Sequence, residues 1–145
     1  MTLHLLKLCV GADSVRDLED WIAERLALKA RANEPAEHVH TTRMTPKRAS
    51  ELLDDGSLYW VIKGQIAARQ RLLDIRPFVD SGGVSRCRLV LDPTVIAVRV
   101  RACRPFQGWR YLQAHEAPAD VTADDGHGAH LPEAMRIELR QLGLL

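Results

Sequence analysis

Apolar positions open the chain as a nearly unbroken run, Leu3-His4-Leu5-Leu6-Lys7-Leu8-Cys9-Val10, closed by Gly11. A short run of this kind ended by a turn residue predicts a mostly buried strand. The period then changes to that of a helix, with Val15, Leu18, Trp21, Ile22 and Leu26 recurring up to about Ala32. Ser14 and Asp17 before and inside it have the form of a capping box, and the spacing packs Trp21 inward. Asn33 to Glu37 is polar, carries Pro35 and reads as a loop before a second extended run, His38 to Arg43. Thr45 as cap, Pro46 at the first helical position and Gly56 past the end then bracket a short helix with Ala49, Leu52 and Leu53 on one side.

From Ser57 onward the pattern is that of strands. Ser57 to Lys63 is aromatic and β-branched, Gly64 interrupts, and Gln65 to Phe78 continues with partial alternation, which predicts a hairpin or strongly bent strand pair. Asp80-Ser81-Gly82-Gly83 separates this from Cys87 to Leu91, and Asp92-Pro93 separates that from Thr94 to Cys103. Arg104 to Leu112 is short and aromatic, Ala117 to Ala129 reads as a polar loop, and Met135, Leu139 and Leu142 space out a last helix from about Pro132 to Leu142. Strands that follow one another without long helices between them argue against a doubly wound parallel sheet. The fold class is therefore α+β: a curved antiparallel sheet or a small β-barrel with flanking helices. No internal repeat or linker interrupts it, so residues 1–145 are expected to form one domain.

Charge changes this picture more than composition does. The 145 residues carry a formal net charge of +1, yet residues 40–110 hold 13 basic and 6 acidic side chains while residues 111–145 hold 2 and 6. The strand-rich middle is basic and its flanks are acidic. Alternation places Arg99 with Arg101, Arg86 with Arg88 and Arg69 with Arg71 on common faces. Two readings stand open: an electropositive surface for a phosphate backbone, or a solvated sheet face whose arginines pair with the acidic segments. Thr41, Thr42, Arg43, Lys47 and Arg48, at a strand-to-helix junction, would add donors to the first. Trp109, set among Gln107, Arg110 and Tyr111, reads as a stacking plane at a site rim.

At Thr41-Thr42-Arg43-Met44-Thr45-Pro46-Lys47-Arg48, Gly56 to Gly64, Arg69-Gln70 and Pro105 to Leu112, the chain resembles an uncharacterised bacterial family classed as a domain of unknown function. More loosely, a Thr/Arg strand, a short helix ending in Gly, then strand, Gly and strand looks like the PUA-like barrels, including the ASCH and EVE groups. That likeness implies a single PUA-like domain over residues 1–145 that binds RNA or a modified base in a cleft beside the barrel. By position, the cleft would draw on the Thr41 to Arg48 junction, Lys63, Gln65, Arg69 and Gln70.

Other chemistry finds less support. There is no Gly-x-Ser-x-Gly elbow, no phosphate loop ending in Gly-Lys-Ser/Thr, no GxGxxG and no HExxH. His38 and His40 share one side of a strand, and His127 and His130 lie near Asp124 and Asp125, but neither group is a complete ligand set, so no metal and no cofactor is expected. Cys9, Cys87 and Cys103 lack CxxC spacing and read as buried free thiols. No stretch resembles a membrane span or a signal peptide, so a cytoplasmic protein is expected. The leading expectation is binding of RNA or a modified nucleotide, with Arg43, Arg48, Lys63 and Arg69 on phosphate or base edges, Gln70 as polar reader and Trp109 stacking. Two alternatives remain: an enzyme acting on a small anionic or nucleotide-like substrate with His40 as acid/base, and a protein-interaction module. The oligomeric state is not legible.

Overall fold

The computed structural model describes residues 2–121. Among them a seven-stranded sheet carries two helices, in the order β1 (Leu3–Leu8), α1 (Val15–Arg31), β2 (His38–Thr42), α2 (Ala49–Leu52), β3 (Ser57–Ile62), β4 (Gln65–Val79), β5 (Ser85–Leu91), β6 (Ile96–Ala102) and β7 (Trp109–Gln113). The fold is α+β, as the patterning predicts. The last predicted helix and the His127/His130 group lie outside the described residues.

Helix α1 begins where its cap demands: Ser14 is extended and its Oγ accepts from the Asp17 N–H at 3.0 Å. Val15, Leu18 and Ile22 are buried, but Trp21 is 40% exposed, contrary to the inward placement that its spacing suggests. The apolar stripe is narrower than the sequence implies, and Trp21 sits on its margin under the Arg25 guanidinium, 4.5 Å away. Helix α2 is shorter than predicted. Arg48 rather than Thr45 occupies its N-cap, with no side-chain cap bond. Its end lies so close to β1 that a Cβ on Gly56 would stand 2.2 Å from the Leu52 carbonyl oxygen and 2.4 Å from that of Leu3, so no larger residue fits there.

The sheet runs β2-β5-β4-β3-β1-β7, with β6 on β4. Most neighbours are antiparallel, but β1 and β3 are parallel, with Lys7 opposite Trp60, so the sheet is mixed rather than antiparallel throughout. Lys63 and Gly64, at φ +49° and +75°, form the two-residue turn into β4. Strand β4 is 15 residues long and serves three partners, β3 and β6 along its first half and β5 along its second, with register shifts near Ile66/Ala68 and Leu72/Asp74 that bend it. Both faces of the middle are covered. Leu5, Leu18, Leu58, Trp60, Leu72 and Leu89 form the core on the helix side, and Leu6, Tyr59, Val61, Val98 and Phe106 the core on the other. Because β3 is buried along its whole length, it reads as an uninterrupted apolar run.

The curvature does not close a barrel. Among the described residues β2 and β7 each pair with a single strand and not with each other. The segment after β2 bridges them instead: the Trp109 indole N–H donates to the Met44 carbonyl at 2.8 Å, and the Tyr111 hydroxyl oxygen accepts from the Lys47 and Arg48 N–H groups at 3.1 and 3.2 Å. The sheet is thus an open one whose two ends meet through side chains. No described helix is long and apolar enough to cross a membrane. All three cysteines are free; Cys87 is buried, and Cys9 and Cys103 are half-buried.

Candidate functional site

The seam between β2 and β7 is the place where sequence-predicted residues converge. Strand pairing aligns Trp60, Lys7 and Trp109 in one row across β3, β1 and β7, and Leu58, Leu5 and Tyr111 in the next. Directly opposed residues share a face, and Leu5, Leu58 and Trp60 belong to the helix-side core. The Trp109 and Tyr111 rings meet edge to face at 4.9 Å. Over them lies the junction, held down by the three bonds just described and by the Thr42 hydroxyl, which donates to the Met44 carbonyl at 3.1 Å. Thr42 is buried, Thr41 is exposed, and Arg43, Met44, Lys47 and Arg48 stand out toward solvent.

The cations here are of two kinds. Arg48 is committed, paired to Glu51 one turn along and set 5.5 Å from the Tyr111 ring. The side chains of Arg43 and Lys47 make no ion pair or hydrogen bond among the described residues. Lys7, between the two tryptophans, is half-buried, likewise without an ion pair, and burial lowers the pKa of its ammonium group. Sequence reasoning missed Lys7. Its signal was a cation on the Leu3/Leu5 side of an otherwise apolar strand, a costly position unless it serves packing at a rim or a ligand.

His40 reaches this region from β2 and meets the Trp60 ring edge to face at 5.2 Å. Its Nε2 is buried without a partner, and burial, helped by the Lys7 charge, brings its pKa down to about 4. It is therefore neutral near pH 7. His38 behaves alike, its pKa lowered to about 4 by burial and the Arg25 and Lys29 charges.

The remaining predicted residues are not brought to the seam. Lys63 is exposed at the β3–β4 turn, with Gln65 just beyond it. Arg69 stands opposite Tyr59, on the other face of the sheet from Trp60. Its Nε and Nη2 bind both carboxylate oxygens of Asp120 at 2.7 Å, and Nη1 donates to the Ser57 hydroxyl at 2.8 Å. That pairing holds the Asp120 carboxyl below its ordinary pKa. Gln70 is wholly buried; its Oε1 accepts from the Trp60 indole N–H and its Nε2 donates to the Asp92 carbonyl, both at 2.8 Å.

Three more strand arginines are spent on carboxylates, and two others are held by a ring or a carbonyl. Arg71 pairs with Asp55, Arg86 with Asp80, and Arg76 with Glu37 and Asp74. Arg88 lies over Phe78 at 4.0 Å, and Arg101 donates to the Glu116 carbonyl. Among the described residues no group of three or more His, Cys, Asp or Glu side chains is placed to hold a metal.

What the seam defines is a polar and aromatic surface site on a small α+β domain. The chain belongs to the family described as "Protein of unknown function (DUF1489)", whose model matches residues 5–145. No curated protein matches the chain, and no solved structure does.

Proposed function

We propose that the chain binds nucleic acid, as RNA or a modified nucleotide, at the seam between β2 and β7. The observation that carries this reading is the gathering of Lys7, Arg43 and Lys47, none with an ion pair among the described residues, around the Trp109–Tyr111 pair. Cations not spent on carboxylates remain available to phosphates, and an aromatic ring beside them offers a base its π-face. The loose likeness to RNA-binding PUA-like domains points the same way and belongs to the same proposal. The site differs from the one the likeness implied, because Arg69 and Gln70 are occupied inside the fold.

Binding is favoured over catalysis because the Nε2 of His40, the candidate acid/base, is buried against substrate access and has no hydrogen-bond partner among the described residues. The test is fluorescence anisotropy of labelled single-stranded RNA, duplex RNA and DNA with nuclease-treated protein at two salt concentrations. Binding is expected to weaken steeply with salt, and Arg43→Ala or Lys47→Ala to weaken it further and flatten the salt slope by about one contact each. Arg88→Ala, on the cation stacked over Phe78, should leave it unchanged. Absence of saturable binding at tens of micromolar protein, or equal losses in all three variants, would overturn the proposal.

A further inference from the structure

The first half of β2 and the C-terminal half of α1 enclose a surface recess of about 330 Å³. That is the lower end of the ~300–1,000 Å³ range of small-ligand sites. Arg25, Leu28 and Lys29 line it from the helix, and Glu37, His38 and Val39 from the strand side.

Its wall is cationic. Arg25 and Lys29 are four residues apart on α1, so both heads reach the same hollow. Arg25 lies over the Trp21 ring, and Lys29 donates from Nζ to the Glu37 carbonyl. Both contacts position a cation without neutralising it. The one carboxylate in the lining, that of Glu37, is engaged through both oxygens by Arg76 at 3.1 and 3.0 Å. The Arg76 guanidinium, with a smaller contribution from the Lys29 charge, lowers the Glu37 pKa, so the carboxylate stays ionised and paired to Arg76.

A buried polar atom also awaits a partner. His38 is 2% exposed, and its Nε2 has no hydrogen-bond partner among the described residues. The nearest ring, that of Trp21, is 6.3 Å away between centroids, too far for an N–H···π contact. A buried polar atom left unsatisfied is destabilising, and a ligand atom that bonds it relieves that cost. Leu28, 54% exposed, and Val39 supply an apolar wall beside it.

We infer that this recess binds a small organic acid. The carboxylate sits between Arg25 and Lys29 within reach of the His38 imidazole, and a short aliphatic body lies on Leu28 and Val39. Thr41 borders both this recess and the seam, but the residues that carry this inference, Arg25, Lys29 and His38, are not those that carry the seam, so the two stand or fall separately.

The full chain would be titrated at constant ionic strength with hexanoate and, separately, with inorganic phosphate, following the imidazole nitrogen resonances by NMR. Hexanoate is expected to saturate with a Kd of about 1 mM and to shift the His38 Nε2 resonance more than that of His40. Arg25→Gln, on an exposed helix position that leaves the fold intact, should weaken hexanoate at least tenfold, whereas Arg43→Ala should not change it. Thermal melts of the Arg25→Gln variant check that it is folded. No saturation at tens of millimolar hexanoate, equal affinity in Arg25→Gln, or binding of phosphate in place of hexanoate would each overturn the assignment.

Discussion

Strands β4 and β2 both carry polar side chains into the interior, and they treat them in opposite ways. On β4, Arg69 and Gln70 are fully engaged: the guanidinium spans Asp120 and Ser57, and the amide joins Trp60 to Asp92. On β2, His38 and His40 each keep a buried Nε2 without a partner, and the segment that follows presents Arg43 and Lys47 without ion pairs among the described residues. A buried polar group that is satisfied specifies one packing; one that is not reduces stability and persists where something else repays it. On the proposed reading, β4 serves the architecture and β2 serves recognition.

The largest effect that would break this contrast is expected at Gln70. Gln70→Ala removes two buried hydrogen bonds and leaves a cavity beside Trp60, and should cost about 3 kcal/mol in urea denaturation. A loss below 1 kcal/mol would show that the amide is not a structural tie. Arg69→Met strands the Asp120 carboxylate and should cost about 2 kcal/mol, the pair being partly open to solvent.

The histidines sharpen the contrast through pH. Both are held near pKa 4 in the folded chain and titrate near 6.5 when unfolded. The unfolded state therefore binds more protons between those values. Stability should be complete above pH 6.5, decline as pH falls toward 4, and level off below that as far as these two groups are concerned. Melting temperatures from pH 7.5 to 4 would trace this, and the double variant His38→Phe/His40→Phe should flatten the decline. A smaller effect of opposite sign is expected at neutral pH, where His40→Phe deletes an unpartnered nitrogen and keeps the contact with Trp60; it should be neutral or gain up to about 1 kcal/mol. Smallest of all, Arg43→Ala and Arg71→Ala should each stay within about 0.5 kcal/mol of the parent, yet only Arg43→Ala should reduce RNA affinity.

Much of the fold was legible because its signals are local. Ser14 and Asp17 place the start of α1, Gly64 the turn into β4, and the apolar run from Ser57 a strand buried on both sides. The parallel pairing of β1 with β3 was not legible, since it joins residues more than fifty positions apart that share only an apolar pattern. Nor did the sequence show that the sheet stays open, because that depends on what Trp109 and Tyr111 bond to. The site was legible in part. Thr41 to Arg48 and Trp109 do come together, through tethers no periodicity encodes. Arg69 and Gln70 looked like readers because the PUA-like likeness placed both in a cleft, and neither that position nor strand alternation reports which carboxylate or indole already holds a side chain.

The bridge across the seam also sets how the molecule breathes. A closed barrel parts only by breaking a backbone ladder, whereas β2 and β7 are joined by the Trp109 and Tyr111 bonds to residues 44–48. With three hydrogen bonds at about 1 kcal/mol each, and Trp109 and Tyr111 also packed on the core, the seam should be open in at most about one molecule in a hundred. The Lys47 and Arg48 amides should then exchange with solvent orders of magnitude faster than those of β3. On the proposed reading, a long nucleic-acid strand laid along the junction would need no free end to enter, because an open seam is approached from the side.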